Sequence, residues 1–131
     1  MVSGETLGMS KRLDIPYDEA LPKVREALKA QGFGILTEID VRATLREKLN
    51  QDFRPYTILG ACNPRLAHRA LESNLDIGLL LPCNVIVYES DGGSVVSAFD
   101  PEVGMRLADS AALDAVASEA KTLLIKALDQ L

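Results

Sequence analysis

Residues 56–64 read Tyr-Thr-Ile-Leu-Gly-Ala-Cys-Asn-Pro, and residues 79–89 read Leu-Leu-Leu-Pro-Cys-Asn-Val-Ile-Val-Tyr-Glu. Both cysteines of the 131-residue chain, Cys62 and Cys83, lie in these segments, and an asparagine follows each of them. The first segment predicts a short strand that leads into a helix, because Asn63 is a good helix cap and Pro64 suits the first helical position. These two segments therefore set the centre of the predicted fold.

The sequence from residue 84 to residue 99 is typical of a β-hairpin. Strands are predicted at Asn84 to Glu89 and at Ser94 to Phe99, and Ser-Asp-Gly-Gly between them permits the positive φ angles of a tight turn. Val85 to Val87 are apolar at consecutive positions, as expected for a strand that is covered on both faces. A dimer that pairs two sheets or their edges would provide the second cover.

Strands and helices also follow each other on either side of these segments. Before them we predict a strand at residues 6–13, a helix at residues 17–31 that Gly32 ends, a strand at residues 33–39 and a short helix capped by Asp40. After them a long amphipathic helix begins near Asp109. This order of strand, helix, four strands and helix predicts an α+β fold, in which helices cover an antiparallel sheet.

Composition and charge exclude several classes of protein. The chain carries 14 Lys and Arg against 19 Asp and Glu, and a net charge of −5 argues against nucleic-acid binding. No apolar run approaches the roughly 18 residues of a membrane span, and no secretory signal is visible at the N-terminus. Two cysteines do not make a disulfide framework, so a cytoplasmic, reducing setting is the simplest interpretation. We predict a single domain over residues 1–131, with a loose tail at residues 1–5.

Three motifs resemble family 302 of the domains of unknown function. They are Gly-Phe-Gly-Ile-Leu-Thr-Glu-Ile-Asp-Val at residues 32–41, Tyr-Thr-Ile-Leu-Gly-Ala-Cys-Asn-Pro at residues 56–64 and Leu-Pro-Cys-Asn-Val at residues 81–85. The resemblance extends from the first helix to the last. It implies a compact α+β fold of the kind also seen in TATA-binding protein, usually as a homodimer, and it implies no established function. A fold alone does not imply DNA binding.

Cys62 is the candidate catalytic residue. If Asn63 caps a helix, the thiol lies just before the positive end of that helix, where free amides would stabilise a thiolate or an anionic ligand. Arg65 in the first turn would add to this effect. The alternative is that Cys62 is a small buried apolar residue at the end of a strand.

The remaining candidates surround Cys62 and Cys83. Cys83 could lie near Cys62 as a redox partner, or it could be a structural residue of the core. We predict Cys62, Asn63, Cys83, Asn84 and Glu38 as ligand-binding residues, with no cofactor and no metal, because the spacing of the cysteines matches no zinc motif. The single histidine, His68, could serve as a base for Cys62, although its helix face favours a solvated position.

Three functions compete on this evidence. The first is a module that binds a small molecule or anion near Cys62 and the Asn63-Pro64 helix start. The second is a thiol enzyme or redox protein that uses Cys62, and the third is a structural protein whose role is homodimerisation. Enzyme activity is undecided from the sequence, because Walker, Gly-x-Ser-x-Gly and Cys-x-x-Cys motifs are all absent.

Overall fold

The computed structural model describes residues 3–4, 7–108 and 110–131. Its strands are β1 (Ser3–Gly4), β2 (Gly8–Leu13), β3 (Gly34–Asp40), β4 (Tyr56–Cys62), β5 (Cys83–Ser90) and β6 (Gly93–Phe99). Its α-helices are α1 (Tyr17–Ala30), α2 (Val41–Leu49), α3 (Pro64–Ser73), α4 (Pro101–Met105) and α5 (Ala111–Asp129), and 3₁₀ turns cover Leu75–Leu80 and Arg106–Ala108. The α+β prediction is confirmed.

The six strands form one antiparallel sheet in the order β1-β2-β6-β5-β4-β3. Strands β5 and β6 join through the predicted tight turn, in which Asp91 and Gly92 both have positive φ. Strand β1 pairs Ser3 and Gly4 with Ser10 and Met9, within the segment that the sequence predicted to be a loose tail. The rest of that tail lies outside the described residues, as does Asp109 at the predicted start of the last helix.

Helices α1 and α5 pack on one face of this sheet. The inward positions of the central strands alternate along the chain, as the two-residue period of a strand requires, and they are buried: Leu59, Ala61, Val85, Val87, Val96 and Ala98. Together with Val24, Leu28 and Leu124 from the helices they form the larger apolar core. A second, smaller core joins α3, α4 and the first half of α5 through Leu66, Met105, Leu113 and their neighbours.

The opposite face of the sheet carries apolar side chains that no described helix buries. Ile58, Ile86, Tyr88 and Val95 are half-buried there, and Ile39 is exposed. Tyr56 and Tyr88 stack there with ring centroids 5.3 Å apart. We call this surface, on the outward positions of β3 to β6, the open face.

Candidate functional site

The turn from β4 into α3 forms as the sequence predicted. Asn63 has extended backbone angles, and its side-chain oxygen accepts a hydrogen bond from the Leu66 amide at 3.4 Å. Pro64 takes the first helical position, where its missing N–H costs nothing. The Asn63 side chain also lies against Gly32, which has a φ of +86° and ends the preceding helical segment. The cap therefore anchors α3 to the end of α1 as well as to β4.

A small cavity lies beside this turn, between the two apolar cores. Its volume is about 30 Å³, which is room for a water molecule or two and far below the 300 Å³ or more of a typical ligand pocket. The walls come from β4, α3, β5, α4 and α5. The lining residues are Phe33, Ala61, Cys62, Asn63, Leu66, Ala67, Ala70, Leu81, Cys83, Pro101, Met105, Val116, Ala117 and Ala120.

The structure brings Cys62 and Cys83 to the same cavity. Cys83 pairs with Ala61 across β4 and β5, and Cys62 is the next residue along β4. Adjacent side chains in a strand point to opposite faces, so this register does not turn the two thiols toward each other. Both cysteines are free. Both cysteine residues therefore line one cavity, but their side chains leave opposite faces of the sheet and are not a pair set for a disulfide.

Burial makes both thiols poorer acids than free cysteine. It raises the pKa of Cys62, and it raises the pKa of Cys83 to about 11, with a further contribution from the nearby Cys62. The sequence had suggested the opposite direction for Cys62, because a helix start favours a thiolate. Here the loss of hydration is the larger effect, since apolar side chains form most of the surroundings.

Two of the predicted ligand-binding residues lie away from this cavity. Asn84 pairs with Gly60 on the open face and is exposed. Glu38 lies opposite Leu59 and forms an ion pair with Arg25 of α1. Asp40 caps α2 by accepting a hydrogen bond from the Ala43 amide at 2.9 Å, as predicted. Of the five candidates, Cys62, Asn63 and Cys83 therefore form the common site.

The charged residues of α3 also have partners outside the cavity. His68 is exposed and pairs with Glu72 one turn along, with 2.8 Å between Nε2 and Oε1. Arg65 and Arg69 both contact Glu119 of α5, at 2.7 and 3.1 Å, and their hydrogen bonds lower the pKa of Glu119. The positive charge that the sequence suggested for Cys62 is thus engaged by a carboxylate on the neighbouring helix.

The site contains several residues that the sequence did not single out. Phe33, Met105 and Ala117 line the cavity from three distant parts of the chain. The helical period of the last helix placed Ala117 on an apolar face, but a period carries no information about which residue it will meet. Only the tertiary arrangement brings these residues to Cys62 and Cys83.

Within the described part of the chain, no three His, Cys, Asp or Glu side chains are grouped closely enough to hold a metal ion. No helix in residues 3–4, 7–108 and 110–131 has the length and apolar character needed to cross a membrane. Every buried side-chain nitrogen or oxygen that the structure describes has a hydrogen-bond partner. The site is therefore apolar in character, with thiols as its chemically distinctive groups.

Fold and site together define a small α+β protein with an apolar cavity at the junction of its two cores. The family described as domain of unknown function DUF302 matches residues 9–131, and the chain belongs to this family. The chain is similar to a solved structure titled as the crystal structure of an uncharacterized conserved DUF302 protein from Bacillus stearothermophilus. The two share 31% identity with a TM-score of 0.88, over 96% of this chain and 98% of that one. No curated protein matches the chain.

Proposed function

We propose that this protein is a small-molecule-binding module whose site is the cavity between Cys62, Asn63 and Cys83. The observation that carries the proposal is the cavity itself, which lies where the two sequence motifs meet. Close packing normally leaves few voids in a domain of this size, so a gap at the junction of two cores is a natural place for a ligand. Its small volume means that binding must be accompanied by a local opening of the walls.

The apolar walls favour binding over thiol chemistry. A nucleophilic cysteine needs a lowered pKa or an adjacent base. The pKa values of Cys62 and Cys83 are raised, and His68 is engaged with Glu72. The same raised values disfavour an anionic ligand beside the thiols, because the surroundings that penalise a thiolate also penalise any other buried anion.

Two methionines allow a direct test by NMR of ¹³C-labelled methyl groups. Met105 lines the cavity, whereas Met9 is buried in the other core and serves as the internal control. The protein is titrated with a panel of short alcohols, carboxylates, amides and phosphate. We expect at least one class to shift the Met105 methyl resonance with saturation while Met9 stays fixed. The proposal is wrong if no member of the panel shifts Met105 selectively.

The open face supports homodimerisation as a second function. The four strands of this face, about 4.8 Å apart and some six residues long, present roughly 400 Å² of projected surface. Ile58, Ile86 and Val95 make its centre apolar, and Phe53, whose ring centroid lies 6.1 Å from that of Tyr56, extends it. A standard interface takes about 800 Å² from each partner, roughly twice this projected area, so the rim of the face must contribute as well. We expect a second copy of the chain to cover this face, because a two-fold axis brings the same apolar surface of both copies into contact.

A further inference from the structure

We infer that the occupant of the cavity is a linear hydrocarbon chain, which enters between the segment Leu79–Leu81 and helix α4. This inference rests on the proposed function and adds the chemical class of the ligand and its route. Three observations carry it: the composition of the walls, the position of the cavity between two cores, and two exposed leucines that are close in sequence to residues of the walls.

The walls offer a ligand almost no free hydrogen-bonding group. Apart from the two cysteines and Asn63, every lining residue is apolar. The Asn63 oxygen already accepts from the Leu66 amide, so the Asn63 amide nitrogen and the two thiols are the polar side-chain groups that remain on the walls. A ligand with several polar groups would lose its water and regain few hydrogen bonds, at a cost of about 1–3 kcal/mol for each unpaired group. Hydrocarbon carries no such penalty.

The cavity lies where the two cores meet. Phe33 and Ala61 belong to the larger core, whereas Met105 and Ala117 belong to the smaller one. The cavity therefore lies at the boundary between the two cores, both of which include residues of α5. A cavity of about 150 Å³ can hold benzene, whereas the present volume is about 30 Å³, so a ligand must displace side chains of the walls as it enters. A linear chain, which is narrower than a ring, needs the smaller displacement.

Exposed leucines mark the route of entry. Leu79 is 88% exposed and Leu107 is 83% exposed, although leucine normally contributes to cores. Leu79 is two residues from the lining residue Leu81, and Leu107 is two residues from Met105. Between them Leu80 packs against Gly104, where its Cδ1 lies 3.7 Å from the position of an added Cβ. An apolar surface at this place would hold an alkyl chain before it enters.

The test measures the dissociation constants of unbranched alcohols and carboxylates of six to nine carbons, by isothermal titration calorimetry on the whole chain. Burial of each added methylene should tighten binding by roughly three- to fourfold. The alcohols and the carboxylates should both show this dependence on chain length. Similar dissociation constants for an alcohol and a carboxylate of equal length would indicate that the head group stays in water. A dissociation constant that does not change with chain length would overturn the inference.

Two matched substitutions locate the binding. Ala117→Val places two carbons in the cavity, whereas Ala115→Val makes the same change at an exposed position of the same helix, with the same loss of helix propensity. We expect at least tenfold weaker alkyl binding for Ala117→Val and no change for Ala115→Val. Equal effects of the two would contradict the site.

If Ala117→Val does not fold, Leu79→Ser and Leu107→Ser take its place, because both side chains are exposed and contribute little to stability. They should slow association of the alkyl probes, and an unchanged association rate for both would contradict the route.

The experiments distinguish a wrong ligand class from a wrong proposed function. If phosphate or an amide shifts Met105 and no alkyl probe does, the class is wrong and the binding module stands. If nothing shifts Met105, both are wrong.

Discussion

Cys83 lies directly opposite Ala61 in the register of β5 and β4, on the sheet face that the helices cover. Cys62 follows Ala61, so the two cysteine residues line one cavity from neighbouring positions of two strands. Burial raises the pKa of Cys83 more than that of Cys62, so the two thiols should differ in reactivity.

At pH 8.5 iodoacetamide should alkylate Cys62 faster than Cys83 in the folded protein. A thiol reacts as its thiolate, and a pKa of about 11 leaves Cys83 almost fully protonated at that pH. In the folded protein Cys83 should therefore become reactive only as the pH rises toward 11. In the unfolded chain Cys83 should react on the order of 100-fold faster at pH 8.5, because its pKa returns to that of a free thiol. Peptide mapping by mass spectrometry measures both rates. Equal rates for the two cysteines at pH 8.5 would contradict this account of their burial.

Gly60→Ala should destabilise the protein by about 2 kcal/mol or more, as overpacking does. A Cβ at this position would lie 2.2 Å from Thr37 Oγ1 and 3.0 Å from Pro82 Cγ. Gly78→Ala is the control, since an added Cβ there meets no atom within 4 Å. Urea denaturation gives both free energies of unfolding.

Thr37→Ala should recover part of the loss in Gly60→Ala, because it removes the closest of the two contacts. Similar free energies of unfolding for Gly60→Ala and Gly78→Ala would show that the packing of β3, β4 and Pro82 is not as described.

Asp100→Ala should cost roughly 2–3 kcal/mol of unfolding free energy. Asp100 is only 7% exposed, and its two oxygens accept hydrogen bonds from the Glu102 amide and from Lys121 Nζ, both at 2.9 Å. The substitution removes the cap of α4, which forms part of the cavity wall. Glu102→Gln is the control. The side chain of Glu102 is more exposed and contacts the same lysine, so loss of its charge should lower the free energy of unfolding by less than about 1 kcal/mol. Equal costs would contradict the role of Asp100 as the buried anchor.

The open face should make the protein a dimer in solution. Sedimentation velocity of the unmodified chain should give the mass of two copies, and Ile58→Lys or Ile86→Lys should give monomers, because each places a charge within the apolar face. Leu79→Lys adds the same charge at an exposed leucine on a different surface and should leave the dimer intact. A monomeric unmodified chain, or a dimer that both isoleucine substitutions leave unchanged, would contradict this use of the face.

Local chemistry explains what the sequence predicted well. The cap at Asn63, the positive φ of Gly32 and the tight turn at Asp91-Gly92 each depend on a few adjacent residues, and the structure confirms all three. From the consecutive apolar residues Val85 to Val87 the sequence predicted a strand covered on both faces, and the structure buries Val85 and Val87 while Ile86 is half-buried. Helix periods and caps therefore gave the elements and their order, which is enough for the fold class.

The site was only partly predictable because it depends on register and on distant contacts. Asn84 follows Cys83 in the chain, yet strand alternation turns it to the open face, and Glu38 finds Arg25 on α1. Neither outcome follows from the motifs. For Cys62 the sequence left a stabilised thiolate and a small apolar residue as alternatives, and the raised pKa of its thiol favours the second, because the motif indicates the helix start but not the apolar walls that surround it.

The most direct test of the central claim, that the cavity admits a ligand, is the methyl spectrum of Met105 and Met9 under increasing xenon pressure. Xenon enters dry apolar cavities without needing any specific hydrogen bond. We predict a saturable shift of the Met105 resonance, a fixed Met9 resonance, and loss of the Met105 shift in Ala117→Val. If Met105 and Met9 respond alike, or if neither responds, the cavity does not open to small apolar molecules and the proposed binding site is wrong.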